Sequence, residues 1–343
     1  MTSRPSVRDL LRSLSAQGLF EETKTETASL HLAHAQAHRP MPVYLQALVG
    51  AGAWAAAICF LAFLGISGIV NEKTLWPAGL VLTAFAIALH RWSRHVFVAQ
   101  TALALVLAGQ AMAVGGIGET SNSFAAATAA AAVLAAALYP LYPDPLQRFL
   151  STGIAIGLAT GLVVERDLPH ALHALVGAEA AAALWLWTRP RLAGNLRPLA
   201  YSVAVAVPGT LALLLADFEF GTPAWPSSIL MAGAMAWAVA WAARGSINSE
   251  PVRLALAGAV LLAATFAPGL PAGVALLVLG YARRERGLAA LGIASFAGAL
   301  VMLYYDLGVD LGTKSALLGL SGLLLLVVRE VLRRRPWARK EAA

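Results

Sequence analysis

Residues 96–117 read VFVAQTALALVLAGQAMAVGGI, 22 positions without one ionisable side chain and with Gln100, Thr101 and Gln110 as the polar groups. At ~1.5 Å rise per residue a helix of that length covers the ~30 Å hydrocarbon core of a bilayer. Apolar residues neither alternate with polar ones nor keep to one stripe, so the segment is apolar on every face. A helix in lipid has that texture. A transmembrane barrel would instead show segments of ~10 residues alternating apolar and polar.

The same texture recurs on both sides of this stretch. Spans are expected near 44–68, 74–90, 96–117, 124–142, 149–164, 171–188, 199–216, 227–243, 252–267, 270–282, 288–305 and 314–331. Composition agrees: of 343 residues 59% are apolar and 13% charged, against ~25% charged in soluble domains. The fold class is therefore all-α, a polytopic transmembrane helical bundle of about twelve spans. The ninth and tenth spans are short, and Pro268, Gly269 and Pro271 between them fit a tight hairpin or a kink in one long helix.

Charge selects the hairpin. With a cytoplasmic N-terminus and twelve crossings, all of the 25 Lys and Arg except Lys73, Arg166 and Lys314 fall on the inner side, a 22-to-3 split that obeys the positive-inside rule. Merging spans nine and ten would carry Arg283, Arg284 and Arg286, and the Arg333–Arg335 cluster with them, to the wrong, outer side. Both termini are thus expected inside, in the inner membrane of a bacterium. Trp76, Trp92, Trp187, Trp225 and Trp337 stand near span ends, as an aromatic belt requires.

Three regions follow. Residues 1–42 form a cytoplasmic N-terminal segment, in which Ser6 and Asp9 resemble a capping box and Val7, Leu10, Leu11 and Leu14 make a short amphipathic helix. Its first forty residues mix acids, bases and histidines and do not read as a cleavable signal peptide. Residues 43–331 are the transmembrane bundle, and 332–343 a basic cytoplasmic tail. Gly153, Gly157 and Gly161 repeat every four residues in span five, a ridge suited to close packing with another helix of the bundle.

Two places at opposite ends of the chain carry a family resemblance. Ala16-Gln17-Gly18-Leu19 is followed by Pro42-Val43-Tyr44, Gly50-Ala51-Gly52-Ala53-Trp54 and Phe60-Leu61-Ala62-Phe63-Leu64; Tyr304-Tyr305-Asp306-Leu307 is followed by Leu311, Lys314-Ser315, Leu318 and Gly322. Together these resemble the bacterial domain-of-unknown-function 4401 family of multi-span membrane proteins. The resemblance implies a membrane partner with a GDYXXLXY domain and assigns no activity.

No trustworthy catalytic, cofactor or metal motif is present. There is no nucleophile elbow, HExxH, phosphate-binding glycine loop or dinucleotide fingerprint. His31, His34 and His38 lack an acidic or thiol partner to complete a metal site, and the single Cys59 sits in an apolar run where it serves as a small hydrophobe. A net charge of +7 without a folded soluble module does not indicate nucleic-acid binding. No cofactor is expected, and an enzyme would have to be intramembrane.

The candidate functional polar residues are Glu179, Asp310, Lys314, Tyr304 and Tyr305. Asp310 and Lys314 stand four apart, acid first, as a helical ion pair requires; an extracytoplasmic ligand or partner site fits the same residues. Glu179 lies mid-span among alanines with no Lys or Arg at its depth. It is expected as a neutral acid bonded to another span, with Gln100 and Gln110 as candidate partners, or else as a proton-coupling group. Pro208-Gly209 marks a kink or a broken helix in span seven. The reading is an integral membrane protein working as a subunit of a membrane complex; the alternative is a secondary transporter or exporter, which needs a polar cavity near the midplane.

Overall fold

The computed structural model describes residues 43–68, 71–92, 95–189, 195–216, 223–246, 248–306 and 310–333. The amphipathic segment and histidines expected before residue 43, and the basic tail after 333, lie outside them. Twelve helices follow one another: α1 Val43–Ile66, α2 Leu75–Trp92, α3 Val96–Ser121, α4 Phe124–Leu141, α5 Pro145–Glu165, α6 Pro169–Thr188, α7 Arg197–Ala216, α8 Trp225–Ala242, α9 Glu250–Ala263, α10 Gly269–Arg283, α11 Arg286–Asp306 and α12 Leu311–Arg333. No strand occurs among the described residues. Each helix coincides with an expected span to within a few residues.

Local chemistry sets the ends. Asp144 caps α5 by accepting from the backbone N–H groups of Leu146 and Gln147, both at 2.9 Å, with Pro145 opening the helix. Asn122 ends α3 in the left-handed region at φ 46°, and Ser123 then caps α4 through the Ala126 N–H. α7 runs unbroken through Pro208 from Arg197 to Ala216, so this helix is not the split element that would line a site.

α1–α3, α8, α9 and α12 carry many apolar side chains on the outside: Ile58, Val81, Ile229, Val260 and Leu320 are all exposed. That is the inverse of a soluble surface and the expected state of a lipid-facing one. Eight helices are long and apolar enough to cross a bilayer: α1 to α7 and α11. α10 is apolar but shorter; its 15 residues and the 14 of α9 reach only ~21–23 Å. Between them Phe266 turns at φ 53°, so the chain breaks here and no single long helix forms. The protein is a multi-span membrane protein.

Packing divides into two connected groups. α1, α2, α3 and α4 share an apolar cluster around Ala86, Val106, Leu138 and Tyr142. α6 to α11 share another around Trp187, Ala204, Ala238 and Leu279. α5 bridges them, packing on α4, α6 and α7. α12 packs extensively on none of the other helices among the described residues.

Glycines mark the two tightest seams. A Cβ on Gly79 of α2 would meet the Ala113 nitrogen at 2.5 Å, and one on Gly116 of α3 the Trp76 nitrogen at 2.5 Å. On α10 and α11, Gly273 and Gly292 would strike Phe296 N at 2.7 Å and Leu277 N at 2.5 Å. The expected Gly153–Gly157–Gly161 ridge does not act this way: a Cβ at Gly153 or Gly157 meets nothing within 4 Å, and only Gly161 touches a neighbour, Phe124. Regular spacing supplies a smooth face, but which face meets a helix is decided by the tertiary arrangement.

Candidate functional site

Polar side chains at membrane depth form rungs between helices, with α5 as the spine. Gln110 of α3 donates through Nε2 to Ser151 Oγ at 2.7 Å. Thr152 and Ser202 pair across α5 and α7 at 2.7 Å, and Thr160 and Thr210 lie 3.4 Å apart across the same helices. These two α5–α7 rungs are eight residues apart on both helices, so the helices run parallel and the rungs stand ~12 Å apart in depth. Between α6 and α8, His173 Nδ1 and Ser227 Oγ are 2.7 Å apart. Such bonds tie spans together because an unpaired polar group in hydrocarbon is costly.

Glu179 joins the deeper rung. It is 5% exposed, and its Oε1 accepts from Thr210 Oγ1 at 3.0 Å, so Glu179, Thr210 and Thr160 link α6, α7 and α5 in series. The second carboxyl oxygen, Oε2, is buried without a hydrogen-bond partner. The expected bond to another span is present, but its partner is Thr210 and neither glutamine: Gln110 bonds Ser151, and Gln100 faces Gly50 of α1. A search for partners among amides alone misses a threonine, whose hydroxyl in a helix ordinarily bonds its own backbone four residues back.

The residues that flank the α11–α12 connection are arranged differently from the expected ion pair. Asp310 accepts from the Thr313 hydroxyl at 2.6 Å and from its N–H at 2.9 Å, capping the start of α12. These bonds hold its carboxyl below the ordinary carboxylate range. The Lys314 ammonium instead lies 5.1 Å from the centroid of the Tyr304 ring, and Tyr304 meets Tyr305 edge to face at 5.4 Å. Lys314, Tyr304 and Tyr305 are thus gathered, with Asp310 given to the helix terminus. The pairing fails because a side chain in the capping position folds toward the first free N–H groups, away from a residue one turn on.

At the opposite end, basic side chains clasp the loops. Arg148 Nε donates to the Tyr139 carbonyl at 2.7 Å, and the Tyr139 hydroxyl donates to the Asn195 carbonyl at 2.6 Å. Arg197 pairs with Glu285 at 2.6 Å, which also accepts from the Tyr201 hydroxyl at 3.2 Å. Arg283 donates to the Trp187 carbonyl and lies over the Trp241 ring. The Ser227–His173 pair and, apart from the local Arg148–Tyr139 bond, this clasp were not legible in the sequence, since each joins residues roughly 50 or more positions apart.

A family model described as Domain of unknown function (DUF4401) matches residues 42–335, a stretch that includes every described helix. The chain belongs to this family. The segments that carried the resemblance lie at both ends of the matched stretch: α1 holds Gly50–Trp54 and Phe60–Leu64, Tyr304 and Tyr305 lie at the end of α11, and Lys314 lies at the start of α12. No curated protein and no solved structure matches the chain.

Proposed function

We propose that this member of the family is a twelve-span subunit of a bacterial inner-membrane complex that docks another membrane protein along α12. The observation that carries the reading is the contrast between glycines. Those of the α2–α3 and α10–α11 seams are filled by a neighbouring backbone, whereas a Cβ at Gly319 or Gly322 of α12 would meet nothing within 4 Å. With Ser315 they set small residues three and four apart along one side of a helix that, among the described residues, packs extensively on no other. Small residues at that spacing let two spans approach closely, and in lipid association depends on that packing. Grooves on the outside of the bundle support the same reading; one of about 440 Å³ runs between α6 and α8 past Gly177, Gly233 and Trp237.

The partner implied by the family resemblance is a membrane protein with a GDYXXLXY domain. Co-expression and purification in a mild detergent tests the proposal. Wild-type protein should retain that partner, and the G319L/G322L variant should lose it while accumulating in membranes at the wild-type level. Failure of the wild type to retain it, or undiminished retention by the variant, would sink the reading.

A proton-coupled secondary transporter is the second reading, favoured by the unpartnered Oε2 of Glu179. A buried carboxyl with one free oxygen can take up and release a proton where water reaches it.

A further inference from the structure

A groove of about 800 Å³ opens between the C-terminal ends of α8 and α10. Its walls are Trp241, Leu277 and Val278, with Tyr281 at the mouth and Arg244 and Arg284 at the rim. Tyr281 is 85% exposed and Leu277 37%, so the groove lies on the lipid-facing surface of the bundle. Both arginines are exposed, and neither is paired with a carboxylate among the described residues. Glu285, next in sequence to Arg284, is engaged by Arg197 and Tyr201.

The backbone is unusual at both rim positions. Arg244 has φ 48° and Arg284 φ 58°, a left-handed conformation that favours glycine and is costly for a long side chain. Two helices therefore end in arginine where glycine would fit better, and both arginines edge the same groove. The same conformation recurs at Asn122, Asp167 and Phe266, so the two arginines are singled out by edging one groove together and not by φ alone.

We infer that this groove binds an acidic phospholipid of the adjoining leaflet. Arg244 and Arg284 take the anionic phosphodiester; Trp241, Leu277 and Val278 hold the first part of an acyl chain. The chemistry matches on four counts. Guanidinium is the side chain suited to phosphate oxygens. Leu277 to Arg284 spans ~10 Å along α10, the depth from headgroup into the upper chain region. The volume falls within the ~300–1,000 Å³ of ligand sites, and basic pockets between spans are a recurrent place for anionic headgroups.

The test uses full-length protein reconstituted in bilayers of equal phosphatidylglycerol and phosphatidylcholine, then released into detergent, with retained lipid counted by native mass spectrometry. Wild type should retain phosphatidylglycerol over phosphatidylcholine by about thirtyfold, the scale that two basic groups at a lipid surface provide. R244Q/R284Q should lose the preference, and L277W, which keeps both arginines but fills the chain half, should lose the lipid. R91Q, on α2 at the same end of the bundle, should behave as wild type. Millimolar inorganic phosphate should not displace the lipid, since it lacks the chain. Absence of a preference in the wild type, a preference surviving either groove variant, or displacement by phosphate would overturn the proposal.

Discussion

Glu179 sits where ionisation is expensive: a carboxylate at the centre of a span costs ~2.5 kcal/mol or more on insertion scales, and its one hydrogen bond comes from Thr210. A neutral acid bonded across helices satisfies that constraint. Glu179→Gln keeps the shape and an acceptor for Thr210, so abundance in membranes should stay near wild type. Glu179→Leu strands the Thr210 hydroxyl and Thr210→Val strands the carboxyl; each should lower stability by ~0.5–2 kcal/mol, read as the thermal midpoint in detergent. If Glu179→Gln is made and inserted normally yet abolishes the cellular phenotype, or a pH-driven flux in vesicles, the transporter reading takes first place. Asp310 offers a separate titration. Its folded carboxyl is held low by Thr313, so the cap stabilises α12 at neutral pH and is lost as pH falls through that depressed value. Asp310→Ala should therefore melt below wild type at pH 7, with the gap narrowing progressively as the pH falls below the ordinary carboxylate value of ~3.9, whereas a gap unchanged on such acidification would remove the titrating cap.

Helices were legible because length and apolarity alone define a span, and neither depends on which neighbour the helix meets. Pairing was not, as the glycines illustrate. Gly153, Gly157 and Gly161 have the regular repeat, but the close approaches fall at Gly79, Gly116, Gly273 and Gly292, whose partners lie on other helices. Opposite outcomes follow from one kind of change. Gly292→Ala would drive a methyl into the Leu277 backbone at 2.5 Å and should cost ~1–3 kcal/mol, as overpacking does, with a matching fall in membrane-inserted protein. Gly157→Ala meets open space and removes a flexible residue from a helix, so it should be neutral or stabilising by up to ~1 kcal/mol. Equal tolerance of both would mean that the α10–α11 seam is looser than its backbone contacts require. The polar candidates divide along the same line: sequence singled out Glu179 as a buried acid by its alanine surroundings, but Thr210 could not be found without knowing that α6 lies on α7.

At the scale of the whole molecule, two independent patterns bear on how the chain threads the membrane. The charge distribution predicts which side each loop occupies, and the helix ends group the same loops physically. Arg91 reaches the Leu141 carbonyl at 3.5 Å, Arg148 the Tyr139 carbonyl, Arg197 the side chain of Glu285 and Arg283 the Trp187 carbonyl. The loops after α2, α4, α6 and α10 therefore share one end of the bundle, as twelve crossings demand. The sensitive element is the α9–α10 pair, whose ~21–23 Å helices fall short of the ~30 Å core and reach the far surface only if the bilayer thins locally or the turn at Phe266 sits within the headgroup layer. A re-entrant pair would leave that turn buried and reduce the crossings to ten without moving the C-terminus. Cysteine scanning separates the two. In a Cys59→Ser background, single cysteines at Asn122, Thr265 and Ser246 are exposed to a membrane-impermeant maleimide in intact cells and again after permeabilisation. Twelve spans with an inner C-terminus require labelling of Asn122→Cys and Thr265→Cys from outside, labelling of Ser246→Cys only after permeabilisation, and a cytoplasmic signal from a reporter fused after Ala343. Protection of Thr265→Cys in both conditions, with the other three results unchanged, would replace the two short spans by a re-entrant hairpin, while labelling of Ser246→Cys in intact cells would invert the whole assignment and with it the positive-inside reading.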